Sequence, residues 1–195
     1  MKVEFVKSAP DLAGRPEPVR PEFAFVGRSN CGKSSLINHF LQHTRLAHTS
    51  GKPGKTRLLN YFLVDDRYYV VDLPGYGYAR VSKDLRARWW DLFKRFIRQQ
   101  DRPLAFFHLL DARREPSPED REVNAWLVEA GHPFALAVTK IDKVGTNSRR
   151  ARYQKIIAAL GLDETTPFFP TSARKHAGRQ EMLAWVDALL AANEL

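Results

Sequence analysis

Cysteine is almost missing from this chain of 195 residues, and the one present, Cys31, has no partner for a disulfide and no companions for a thiolate zinc site. The opening residues, Met1 to Lys7, hold no apolar core of the kind a secretory leader needs. No later run approaches the roughly 18 apolar residues of a membrane-spanning helix. There is no internal repeat, and the only biased stretch is Pro10 to Pro21, with Pro16 and Pro18 between. These absences exclude a disulfide-stapled or membrane-spanning design. They predict a cytoplasmic protein whose fold rests on its own apolar core; separately from them, a monomer is expected.

What is there suffices for such a core. A chain of this length buries about 70% of its unfolded surface as one domain. Acid is scarce relative to base: the formal net charge is +9, and 20 arginines outnumber 11 lysines. Arginine-rich surfaces suit bidentate contact with phosphate, so a polyanionic partner is compatible with the charge, as is mere solubility. The base is clustered. Arg45 to Arg57 holds four basic and no acidic residues, and Lys143 to Lys155 holds five and none.

Apolar periodicity places strands at 22–26, 58–64, 68–72, 104–110, 134–138 and 167–170, and helices at 33–43, 84–100, 118–130, 147–160 and 179–192. Residues 2–8 suit a short edge strand, and the proline-rich stretch after them reads as an extended linker that cannot be helical. Hence residues 1–21 read as an N-terminal extension and 22–195 as the compact domain. Alternating strands and helices predict an α/β protein, three layers deep, with a mostly parallel sheet of six strands covered on both faces. One connection breaks the alternation. Only Asp65-Asp66-Arg67 separates two of the strands, too short for a crossover helix, so that pair must be an antiparallel hairpin.

The chemistry starts at Gly27-Arg28-Ser29-Asn30-Cys31-Gly32-Lys33-Ser34, set between a short apolar strand and an amphipathic helix. Glycines there let successive backbone N–H groups point at an anion, and the helix N-terminus adds its partial positive charge. Lys33 would reach the β and γ phosphates of a nucleotide, and Ser34 would hold Mg²⁺. The loop leaves open which nucleotide binds and whether its phosphoryl group goes to water or to another acceptor.

Four further segments narrow the choice. Asp72-Leu73-Pro74-Gly75 follows a buried strand at the same sheet edge, so Asp72 can hold Mg²⁺ through water while the Gly75 N–H approaches a γ-phosphate. The intervening loop contains Gly54, Lys55, Thr56, Arg57 and Leu58, with Thr56 the natural second hydroxyl for Mg²⁺. Thr139-Lys140-Ile141-Asp142 closes the next-to-last strand. Its carboxylate can accept two hydrogen bonds from the N1 and N2 edge of guanine, which adenine lacks, while the Lys140 stem packs over the base. Thr171-Ser172-Ala173, after the last strand, offers a backbone N–H to the guanine carbonyl.

In this order the motifs resemble those of Ras-like, translation-factor-related GTPases of the TrmE-Era-EngA-EngB-Septin group. More narrowly, Gly27 to Ser34, Pro53-Gly54-Lys55-Thr56, Asp72 to Ala79 and Thr139 to Asp142 resemble the EngB family over about residues 3–190. The resemblance implies a GTPase that uses Mg²⁺ and cycles between GTP and GDP. It also implies a partner, the large ribosomal subunit or its precursor, and a requirement in subunit assembly and cell division. Thr139 stands where asparagine is commoner, which leaves the contacts of an asparagine side chain unassigned. Tyr76 stands where many such enzymes carry a water-orienting glutamine, so slow intrinsic hydrolysis is expected, with Tyr76 either packing or taking part. Asparagine at the position of Asn30 helps hold K⁺ beside the phosphates in related GTPases, which makes Asn30, with Lys33 and Thr56, a candidate in hydrolysis. Two other readings compete: a small phosphotransferase, which would not need Asp142, and a nucleotide-gated RNA-binding scaffold with incidental hydrolysis.

Overall fold

A computed structural model describes residues 1–43, 46–47, 58–77, 83–99 and 101–192. The strands are β1 (Val3–Ala9), β2 (Glu22–Gly27), β3 (Leu59–Val64), β4 (Tyr68–Asp72), β5 (Leu104–Asp111), β6 (Phe134–Thr139) and β7 (Phe168–Pro170). The helices are α1 (Lys33–Phe40), α2 (Lys83–Arg98), α3 (Pro118–Ala130), α4 (Thr146–Ala159) and α5 (Arg179–Ala192). All strands join one sheet in the order β1-β3-β4-β2-β5-β6-β7. The expected α/β class is adopted, and among the described residues the sheet has seven strands, the six expected in the domain plus β1. β1 is the edge strand expected over residues 2–8; it pairs antiparallel with β3 and extends the sheet beyond the hairpin.

From β4 to β7 the sheet is parallel, and β3 is joined to β4 by the tight antiparallel turn. Asp65 and Asp66 there take φ of 49° and 58°, left-handed values that aspartate tolerates and that match the twist of a hairpin. Every residue of β2 is buried, because a central parallel strand is covered on both faces and cannot alternate with water. Side chains alternate between two cores. One face packs Phe25 and Phe107 against Phe40 of α1 and Trp185 of α5. The other packs Ala24 and Phe106 against Phe93 and Phe96 of α2 and Leu127 of α3.

The proline-rich segment needs one correction. Leu12–Gly14 forms a single turn of 3₁₀ helix, capped by the Asp11 carboxylate, which accepts from the N–H groups of Ala13 and Gly14 at 3.0 and 3.3 Å. The flanking prolines do not fall within that turn, so nothing in them opposes it. Arg102 then ties the segment down, donating to the Pro16 carbonyl at 2.8 Å and to Glu17 and Glu22 at 3.0 and 3.4 Å.

Candidate nucleotide site

Parallel strands deliver their carboxyl ends to one edge, and every motif of interest within the described residues lies there. Gly27 ends β2, Asp72 ends β4, Asp111 ends β5, Thr139 ends β6 and Thr171 follows β7. Thr56, with Gly54, Lys55 and Arg57, lies outside the described residues. Leu58 is described as exposed at the entry to β3, next to the same edge because Asn60 is in register with Asp72.

The loop after β2 takes the turn its sequence demands. Gly32 has a φ of 107° and precedes the first turn of α1, while Asn30, at a φ of 64°, uses the left-handed tolerance of asparagine. Ser29 donates its backbone N–H to the Tyr76 carbonyl at 2.7 Å, and Tyr76 donates back to the Gly27 carbonyl at 3.4 Å. Between them Gly75 lies so close that a Cβ there would sit 3.2 Å from the Ser29 backbone. Any larger residue would push the Ser29 backbone back by a few tenths of an ångström, so glycine suits this approach. The segment after β4 is therefore zipped directly onto the loop.

Lys33 and Asp72 form a buried ion pair beneath the loop. Both are nearly withdrawn from water, so each charge is held by the other. Such an ammonium and carboxylate can exchange each other for a phosphate and a cation. The donor set near them, the Ser34 hydroxyl at the α1 N-terminus and the Asp72 carboxylate, is hard oxygen and fits Mg²⁺, which also takes phosphate oxygens and water.

Thr139, in the place where asparagine is commoner, ties the loop to the sheet. Its buried hydroxyl donates to the Cys31 carbonyl and lies 3.2 Å from the Leu110 carbonyl, fastening the loop to β5 and β6. Lys140, at a φ of 60°, donates from Nζ to the Asn30 carbonyl at 2.6 Å and to Asp111 at 3.0 Å. Its stem thus lies across the rim where a base would stack. Asp142 is oriented by the Ser172 hydroxyl, which donates to Oδ1 at 2.7 Å and holds the carboxyl below its usual range. Ile141 takes its backbone partner from the Thr171 carbonyl at 3.3 Å, linking the two base-side segments, and Ala173 follows in the same turn.

Sequence reasoning missed Asp111, Ser172 as an orienting side chain, and the partners of Tyr76. Asp111 was within reach, because it is the carboxyl-terminal residue of a strand beside the phosphate loop. Burial pushes its carboxyl up, but bonds from Arg113 at 2.7 Å and from Lys140 outweigh this and bring it down to about 2. Cys31, close to Lys33 in the chain but sealed in the core, has its thiol pushed up to about 12 by burial, so it is inert. Tyr76 packs: it is 3% exposed, and its hydroxyl bonds inward, not toward the phosphate loop.

This edge defines the chain as a P-loop GTPase. The model of the 50S ribosome-binding GTPase family matches residues 22–140. A probable GTP-binding protein EngB from Fusobacterium nucleatum is 44% identical over 97% of both chains, and one from Porphyromonas gingivalis strain W83 is 41% identical over 96% of this chain and 94% of its own. The chain therefore belongs to the EngB family of GTP-binding proteins. A crystal structure of a probable GTP-binding protein EngB superposes with a TM-score of 0.73 at 21% identity, over 88% of this chain and 99% of that one. Aquifex aeolicus Era, solved with GDP and aluminium fluoride, superposes at 0.68 and 24% identity over 87% of this chain and 56% of its own. These two likenesses concern the fold alone.

Proposed function

We propose that the chain is a Mg²⁺-dependent GTP switch that hydrolyses GTP slowly and acts in the cytoplasm, as a monomer, on assembly of the large ribosomal subunit. Normal cell division would depend on that assembly. The observation that carries the nucleotide part is the convergence at one edge of Lys33, Asp72, Gly75 and a pre-aligned Asp142. Mg²⁺, held by Ser34, Thr56 and Asp72, would neutralise the charge that develops on the phosphates. Lys33 leaves Asp72 for the β and γ phosphates, the loop N–H groups orient them, and Asp142 selects guanine. With Tyr76 turned inward, no side chain of the described segment after Gly75 stands ready to orient the attacking water, which supports slow turnover.

The ribosomal part draws on the character of the matching family, whose members are ribosome-binding GTPases, and on the net charge of +9. Helix α2 joins the two: Arg86, Arg88 and Arg98 are exposed on it, and it is the next described element in the chain after the Gly75 segment. Co-sedimentation with large subunits across a salt series tests this, because phosphate contacts weaken steeply with salt. Binding should be stronger with a non-hydrolysable GTP analogue than with GDP and should vanish in Lys33→Ala. Equal binding in both nucleotide states removes the switch. K⁺ held beside Asn30 would speed hydrolysis relative to Na⁺, and equal rates in the two salts remove that ion from the mechanism.

A further inference from the structure

Tyr76 is the residue next to Gly75, the proposed γ-phosphate sensor, and its surroundings are unusual for a surface switch. The ring is buried, 5.2 Å from Trp89 and stacked 6.0 Å from Trp90. The phenol has one proton and gives it to Asp120 Oδ1 at 2.5 Å. His108 Nε2 lies 3.0 Å from the same phenol oxygen, so it must be the protonated nitrogen and must donate. That leaves Nδ1 bare, buried and without a partner among the described residues, which requires a neutral ring. Burial lowers the histidine to about 4 and keeps it neutral. Asp120 also serves its own helix, since its Oδ2 accepts the Ser117 N–H at 2.7 Å and closes the capping box of α3.

The residue on the other side of Gly75 is held as well. Trp89 donates its indole N–H to the Pro74 carbonyl. Gly75 therefore lies between two fixed neighbours, Pro74 tied to α2 and Tyr76 tied to α3 and β5, while its own backbone abuts Ser29. We propose that Tyr76, Asp120 and His108 form a positioning latch that presets the Gly75 N–H for a γ-phosphate and carries its displacement into α2 and α3. A preset donor lowers the ordering cost only for the ligand that uses it, so the latch favours GTP and is indifferent to GDP. This rests on the reading of Gly75 as the γ-phosphate sensor.

Equilibrium titrations of the full chain with GDP and with a non-hydrolysable GTP analogue, both with Mg²⁺, test it. Tryptophan emission is recorded in the same samples, since Trp89 and Trp90 flank Tyr76. Tyr76→Phe keeps the ring and removes the hydrogen bonds. It should weaken the GTP analogue about fivefold, the worth of one net hydrogen bond, leave GDP within about twofold, and shrink the emission difference between the two complexes. His108→Leu should act likewise, whereas His108→Gln, whose amide can donate to the phenol, should restore most of the ratio; this pair decides the matter should Tyr76→Phe not fold. An unchanged affinity ratio, or an equal loss for both nucleotides, overturns the latch while leaving the sensor standing. Wild-type protein that shows the same affinity and emission with both nucleotides overturns the sensor and the latch together.

Discussion

Replacing Thr139 by valine keeps the shape of the side chain and removes one hydroxyl, which makes it a clean probe of how the phosphate loop is held. The hydroxyl has a single proton, and the Cys31 carbonyl receives it, with the Leu110 carbonyl more distant at 3.2 Å. Thr139 and Cys31 are 3% and 4% exposed, so water cannot replace the bond. Leaving that carbonyl unsatisfied costs about 1–3 kcal/mol. For a chain of this size the middle of that range lowers the melting temperature by roughly 4–8 °C. Because the loop must hold its shape to receive phosphates, GDP affinity falls too, by about tenfold if some 1.4 kcal/mol of the cost is spent in binding. Differential scanning calorimetry and a fluorescent-GDP titration read the two effects, and Thr139→Ser should restore both. Thr139→Val protein that melts and binds like wild type would refute the tether.

Stability should depend on pH through two groups of opposite sign. Burial raises Glu22 from 4.5 to about 7 against the pull of Arg15 and Arg102, so its contribution is present below 4.5 and lost as pH rises to 7, about 3 kcal/mol in all. His108, lowered to about 4, loses stability in the other direction, as pH falls from 6.5 toward 4. The two slopes oppose each other between pH 4.5 and 6.5, so urea titrations of Glu22→Gln should show a steeper acid loss than wild type; parallel curves count against the Glu22 assignment. Cys31, with its thiol near 12, should resist a thiol reagent at about pH 8 in the native state and react once urea unfolds the chain; fast native labelling contradicts its burial. Ser172→Ala should weaken GDP about fivefold, by freeing Asp142 to rotate, without admitting ADP, and unchanged GDP affinity in an isothermal titration would dismiss Ser172 as the orienting group.

Much of the site was legible because its chemistry is local. The loop from Gly27 to Ser34 carries its own turn residues and leads into its own helix, and three residues between two apolar runs permit nothing but a hairpin. Alternating periodicity was enough for the α/β class and for all five helices, with boundaries off by up to three residues where end turns fray. The 3₁₀ turn in the proline segment was harder, since it depends on a single aspartate side chain, and so was the partner of the expected edge strand, since that depends on a strand roughly 50–60 residues away offering a free edge.

Sequence by itself determined which groups can meet a phosphate, a hard cation and a guanine edge, since residue type and spacing along one turn settle that. Only the tertiary structure decided which way Tyr76 points, what Thr139 holds and what aligns Asp142. Those outcomes depend on partners 44, 108 and 30 residues away, respectively. Whether a phenol faces water or a carboxylate is set by the sheet order that brings β5 and α3 beneath it, and no local pattern in the chain records that order.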